Sequence, residues 1–129
     1  MRPKPAAAPR PDLDAELNNL AMSKAAQPLF DAVKKHIDEN VAPMSEEFFR
    51  LGEGRKDPWS WAPGQLELLE VAKNKAKASG LWNFFLPNSE IGQGLTNLDY
   101  AYIAAELGKQ PLASETLNCS APDTGNMEV

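Results

Sequence analysis

"GLWNFFLPNSEIGQGLTNLDYAYIAAELGK", residues 80–109, decides whether this chain is helical throughout or mixes helices with sheet. Its opening, "LWNFFL" at 81–86, is an apolar run too short for periodicity to separate a strand from a buried connector. No neighbouring segment offers a strand to pair with it, so an apolar connector is expected. "PNSEIGQGL" follows as a loop. Gly92-x-Gly94 lacks the third glycine and preceding strand of a nucleotide fingerprint, and reads instead as a tight turn packed near other backbone. Thr96-x-x-Asp99 resembles a capping box, with Asp where Glu or Gln is usual. It opens a helix carrying Leu98, Ala101, Tyr102 and Ala105, closed by Gly108.

Working upstream, Pro63 fits the first turn of a long helix to about Ser79, with Leu66, Leu69, Ala72 and Ala76 along one stripe. Glu67 and Glu70 come early and Lys73, Lys75 and Lys77 late, in agreement with the helix dipole. Gly80 is its left-handed cap. Before it, "GEGRKDPWSW" is a loop rich in turn formers, and Ser45–Leu51 a short helix. Leu29, Val33, Ile37 and Val41 recur every four residues and predict a helix from about Gln27, ended by Ala42-Pro43. Its sole histidine, His36, is flanked by Lys35 and Ile37 and reads as a boundary residue. With no second His or nearby Cys it lacks the partners of a metal site.

Downstream, Ala113–Ser120 is expected to form one more short helix, interrupted before Pro122. The sum is an all-α fold of antiparallel helices, with Ala72, Ala76, Ala101 and Ala105 small enough for close approach. Residues 1–22 hold four prolines in their first eleven positions and read as a Pro/Ala-rich flexible arm, leaving 23–129 as the domain. Net charge is −5, so no nucleic-acid footprint is present. Cys119 is the only cysteine, which excludes an internal disulfide. No apolar run approaches the roughly 20 residues of a membrane-spanning helix. By residue chemistry alone this is a helical domain with no nucleophile–base pair, no metal constellation and no phosphate cradle.

Residues 80–109 resemble the N-terminal helical domain of the acyl-CoA dehydrogenase family. Gly80-Leu81, Leu86-Pro87, a glycine loop at Gly92-Gln93-Gly94, the cap Thr96 and the helix end Glu106-Leu107-Gly108 occur in the family's order. The loop usually carries Gly-Gly; here the second glycine is displaced. "NCSAPDTGNMEV" at 118–129 is similar to one branch, whose eukaryotic members often carry the dehydrogenase behind a kinase-like phosphotransferase module.

The resemblance implies a middle β-domain and a C-terminal helical domain beyond this chain, FAD held by those domains and a neighbouring subunit, and a homo-oligomer. It implies desaturation of an acyl-CoA substrate, with a glutamate of the C-terminal domain as base and the flavin as hydride acceptor. No catalytic or cofactor residue is then expected in this chain, which reads as a fragment ending before the β-domain. It would supply part of the acyl-pocket wall, falling on Glu115, Thr116 and Cys119, with Asn118 nearby. A Glu there would suit a polar or substituted acyl group. Related flavin oxidases or monooxygenases of the same fold, or a stand-alone helical binding module without catalysis, are the alternatives. A bacterial cytoplasm is the expected compartment, with mitochondrion or peroxisome as alternatives.

Overall fold

The computed structural model describes residues 19–128. Among these residues six α-helices and one π-helical segment follow in order: α1 Gln27–His36, π Ile37–Val41, α2 Ala42–Gly52, α3 Gln65–Ala78, α4 Asn97–Leu107, α5 Ala113–Thr116 and α6 Asp123–Met127. No strand occurs among the described residues. The fold is the all-α one that the sequence suggested, and "LWNFFL" is a connector of tight turns. α1 packs on α4, α2 on α3, and α3 on α5, with the π segment touching both α3 and α5.

Ala42-Pro43 does not end the first helix. Val33, Ile37, Val41 and Ser45 are all buried at a constant spacing of four, which on an ordinary α-helix would drift roughly 40° per step around the rod. The π segment widens the turn, and the Ala42 N–H reaches back to the Ile37 carbonyl. That wider turn holds the buried stripe in register. It also suits Pro43, which has no N–H and crowds the preceding turn of a regular helix. The rod therefore continues into α2, which takes in the short helix expected at Ser45–Leu51.

Pro63 lies outside α3 rather than in its first turn. Ala62-Pro63-Gly64-Gln65 is a turn closed by the Gln65 N–H on the Ala62 carbonyl (3.2 Å), and Gly64 has φ +93°. Pro before a positive-φ Gly is the type II arrangement. The buried stripe of α3 is Gln65, Leu69, Ala72 and Ala76, while Leu66 is half exposed. Gln65 replaces it because a polar clamp is needed here. Its Oε1 accepts from Ala62 N–H and its Nε2 donates to the Phe48 carbonyl, both at 2.9 Å. At the other end Gly80 (φ +71°) caps α3 as expected, with Leu81 N–H on Ala76 O (2.9 Å) and Gly80 N–H on Lys77 O (3.1 Å).

The core gathers Val33, Ile37 and Val41 of the first rod, Ala76 of α3, Leu81, Phe84, Phe85 and Leu86 of the connector, and Ile103 and Leu107 of α4. Ala113, Leu117 and Cys119 close it. α4 turns the opposite way from expectation. Asp99, Ile103 and Leu107 face inward, while Ala101, Tyr102 and Ala105 are exposed and Leu98 is half-buried. Of the four small residues expected to allow close approach, Ala72 and Ala76 are buried and Ala101 and Ala105 are not.

The glycine loop packs against backbone as anticipated. A Cβ on Gly92 would stand 2.1 Å from the Leu86 carbonyl oxygen, and Gly94 has φ +63°. Thr96 caps α4, its hydroxyl accepting the Asp99 N–H at 3.1 Å. Asp99 in turn fixes a distant segment, accepting the Ser23 N–H at 2.7 Å and the Ser23 hydroxyl at 3.0 Å. Those bonds, the Ser23 N–H first, hold its carboxyl below the usual range against the opposing effect of burial. Most of the arm expected over 1–22 lies outside the described residues. Within its described end, the Leu20 carbonyl accepts the Tyr102 hydroxyl.

Candidate functional site

The segment carrying Glu115, Thr116 and Cys119 is a helix shorter than expected. α5 stops at Thr116 instead of running to Ser120, because Asn118 adopts a left-handed conformation (φ +60°). Cys119 N–H bonds Ser114 O at 3.0 Å and Asn118 N–H bonds Glu115 O at 3.4 Å. This is the Schellman closure, with Asn in the place usually held by Gly. Glu115 and Cys119 thus do not share a helix face through helical spacing, since a reversal separates them.

That reversal is locked to a second one. Asn83, in the connector, is also left-handed (φ +61°). Asn118 Nδ2 donates to Asn83 Oδ1 at 2.7 Å, and Asn83 N–H reaches the Leu117 carbonyl at 3.4 Å. Asn tolerates this backbone region better than other non-glycine residues because its short amide can bond locally. Asn83, a lone polar residue inside an apolar run, and Asn118, directly after Leu117, were the available sequence signal for paired turns.

The three candidate side chains have different surroundings. Glu115 is half-exposed, its Oε1 2.6 Å from Lys73 Nζ of α3 and its Oε2 3.4 Å from the Ser120 hydroxyl. Its charge is therefore engaged by this chain's own lysine. Thr116 is fully buried, and its hydroxyl donates to the Ala113 carbonyl at 2.8 Å. Cys119 is buried with its thiol 3.5 Å from the Ser114 carbonyl. Burial above all pushes this thiol up to about 11, so it stays protonated at neutral pH and is a poor nucleophile or metal ligand. Tyr100 lies beside it among the rings of Phe84 and Phe85, and is raised to about 12, again chiefly by burial.

His36 is not a boundary residue. It is 3% exposed, with Nε2 3.1 Å from the Thr116 hydroxyl oxygen and Nδ1 3.2 Å from Asn40 Nδ2. Burial first, and Lys75 second, lower its pKa, so the neutral ring is the resident form. Sequence reasoning missed His36, Lys73 and Tyr100 because each meets the segment only through tertiary packing.

No group of three or more His, Cys, Asp or Glu among the described residues is placed to hold a metal ion. The two Gly-x-Gly pairs do not cradle a phosphate. The space beside Gly52 is filled by the Gln65 amide (2.8 Å to a built Cβ), and that beside Gly92 by the Leu86 carbonyl. Neither turn therefore leaves room for a flavin pyrophosphate against its backbone. No helix among them is long and apolar enough to cross a membrane.

These turns and helices define one domain type, the all-α N-terminal domain of acyl-CoA dehydrogenases. Over the residues it matches, the chain belongs to the acyl-CoA dehydrogenase family. It is 42% identical over 113 residues to acyl-CoA dehydrogenase family member 10 of Mus musculus, covering 84% of this chain. It is 38% identical over 122 residues to family member 11 of the same organism, covering 92%. A probable acyl-CoA dehydrogenase of Mycobacterium tuberculosis, FadE2, is 52% identical over 63 residues, or 48% of the chain. A solved structure of a protein assigned as an acyl-CoA dehydrogenase from Mycobacterium abscessus superposes with a TM-score of 0.67 at 38% identity, covering 83% of this chain and 27% of that one. The chain spans only 10% and 15% of the two mouse relatives' lengths. No protein-family model matches the sequence.

Proposed function

We propose that this chain is the N-terminal helical part of an FAD-dependent acyl-CoA dehydrogenase that desaturates acyl-CoA thioesters. In that protein it contributes packing surface and, through Glu115, Thr116 and Cys119, part of the acyl-pocket wall. The observation that carries the reading is the match of most of the chain, at 38–42% identity, to mouse members of this family. In this reading the flavin, the proton-abstracting base and the subunit contacts of a homo-oligomer belong to the remaining domains, as the family resemblance implies. Its place of action is a bacterial cytoplasm. With Thr116 and Cys119 buried, the wall they form is the backing of the pocket. Glu115, tied to Lys73, is its polar edge.

The test is to sequence the reading frame past the Val129 codon and assay its product. A frame that continues into further domains, and a product whose bound flavin is reduced by acyl-CoA, is the expected result. An immediate stop codon in an intact transcript would remove the enzyme reading for this chain.

One observation favours a stand-alone helical module instead. Every buried side-chain nitrogen and oxygen among the described residues has a hydrogen-bond partner, so the core is satisfied without help. The outward apolar face of α4 argues the other way, because such a face is usually covered. A monomeric, sharply cooperative isolated chain would favour the module; self-association would favour the enzyme part.

A further inference from the structure

His36 is fully committed in a buried chain of hydrogen bonds, and the proton positions follow from its ends. The Thr116 hydroxyl has one hydrogen, which goes to the Ala113 carbonyl at 2.8 Å. Its oxygen can then only accept from His36, 3.1 Å away, so Nε2 carries the ring proton. Nδ1 is left as the acceptor for the Asn40 amide at 3.2 Å. The chain runs from the π segment through the end of α1 to the last residue of α5, spanning 80 positions of sequence between His36 and Thr116. α5 has only four residues and no side-chain cap of its own. A helix that short is not stable by itself, so its conformation depends on such external contacts.

We propose that His36 is a positioning residue for the acyl-pocket wall: its Nε2–H holds the Thr116 hydroxyl, and that bond sets α5 and the left-handed turn that carry Glu115 and Cys119. The pocket part of this inference rests on the function proposed above; the positioning of the turn does not. Burial and the nearby Lys75 keep the ring neutral, which preserves the Nδ1 acceptor for Asn40. The wide π turn sets the rod's register at Ile37, directly after His36, and Asn40 belongs to that turn. An unusual helical feature thus supplies one end of the hydrogen-bond chain.

Cys119 provides a readout independent of activity, because its thiol is covered only while the turn is closed. The experiment measures maleimide labelling of Cys119 by peptide mass spectrometry, in the full chain and under native conditions. His36→Leu and Thr116→Val, which delete the bond from either side, should raise the labelling rate roughly five-fold, the equivalent of one net hydrogen bond. His36→Gln, whose amide N–H can take the place of Nε2–H, should restore it towards the original rate. Phe48→Leu, a change at a buried ring outside the cluster that holds Cys119, serves as the control for general loosening. Unchanged labelling in Thr116→Val, or an equal rise in Phe48→Leu, overturns the proposal. In the flavin-containing enzyme, His36→Leu should raise KM for acyl-CoA with kcat retained. Raised labelling with an unaltered KM would overturn the pocket assignment. Absence of dehydrogenase activity in the unsubstituted enzyme would count against the function instead, and the labelling result would still decide whether His36 holds the turn.

Discussion

α3 and α4 each carry an apolar stripe, yet only that of α3 lies, Leu66 apart, where periodicity puts it. On α3, Leu69, Ala72 and Ala76 are buried and the lysines and glutamates occupy other faces. On α4, Ala101, Tyr102 and Ala105 point outward, and Ile103 and Leu107 take the core. The difference lies in what surrounds the stripe. α3 is charged elsewhere, so one face alone is free to be buried. α4 reads "NLDYAYIAAEL", apolar nearly all the way round, and a helix of that kind does not declare its inner face. What orients it is Asp99, whose side chain is drawn inward to Ser23.

The sharpest way to break this comparison is Ile103→Ala. Ile103 is fully buried on α4, and its truncation should cost about 2–5 kcal/mol in denaturant unfolding. A cost near zero would mean the inner face has been misassigned. Next in size is Gln65→Ala on α3, which strands the Ala62 N–H and the Phe48 carbonyl. Chemical denaturation should register a loss of about 1–3 kcal/mol.

Acid separates the two helices' neighbourhoods. His36, beside Lys75 of α3, has a folded pKa below its ordinary 6.5. The unfolded chain therefore binds that proton first, and the stability it contributes is complete above pH 6.5 and declines as pH falls through the folded value. Asp99 of α4 is likewise depressed, from an ordinary 3.8, by the Ser23 N–H above all. Its contribution persists to lower pH and is lost only as pH falls from about 3.8 through its folded value. Unfolding midpoints measured from pH 8 to 3 should show both losses, and His36→Gln should remove the first alone. At most about 1.4 kcal/mol per pH unit can come from a single proton.

The smallest effects should come from the faces assigned outward. Leu66→Ser and Ala105→Ser should each change stability by no more than about 0.5 kcal/mol. A larger loss at Ala105 in a longer polypeptide, absent in this chain, would show that a further domain covers that face.

The all-α class, the connector at 81–86, the Gly80 cap and the Thr96 cap were all legible in sequence, because each depends on neighbours within a few residues. What was not legible depends on distant partners. His36 needs Thr116, and Asp99 needs Ser23, 80 and 76 positions away. Pro43 and Pro63 each looked like a local signal, one a stop and the other a start. A π turn absorbed the first, and a type II turn moved the second outside its helix. The candidate segment's residues could be named from resemblance, but the left-handed Asn118 that shapes them could not be foreseen from spacing.

The glycine loop also bears on how this sequence can drift. Gly92 and Gly94 look like one displaced motif, but they answer to separate constraints. Gly92 has no room for any side chain against the Leu86 carbonyl, whereas Gly94 is held by its backbone angle, with Ser89 as the nearest side-chain contact at 3.3 Å. A single-residue path from Gly94 to Asn or Asp stays open, while every path from Gly92 is closed. Related sequences should therefore vary at the second position and at its distance from the first, so a Gly-Gly and a Gly-Gln-Gly can be two spellings of the same turn.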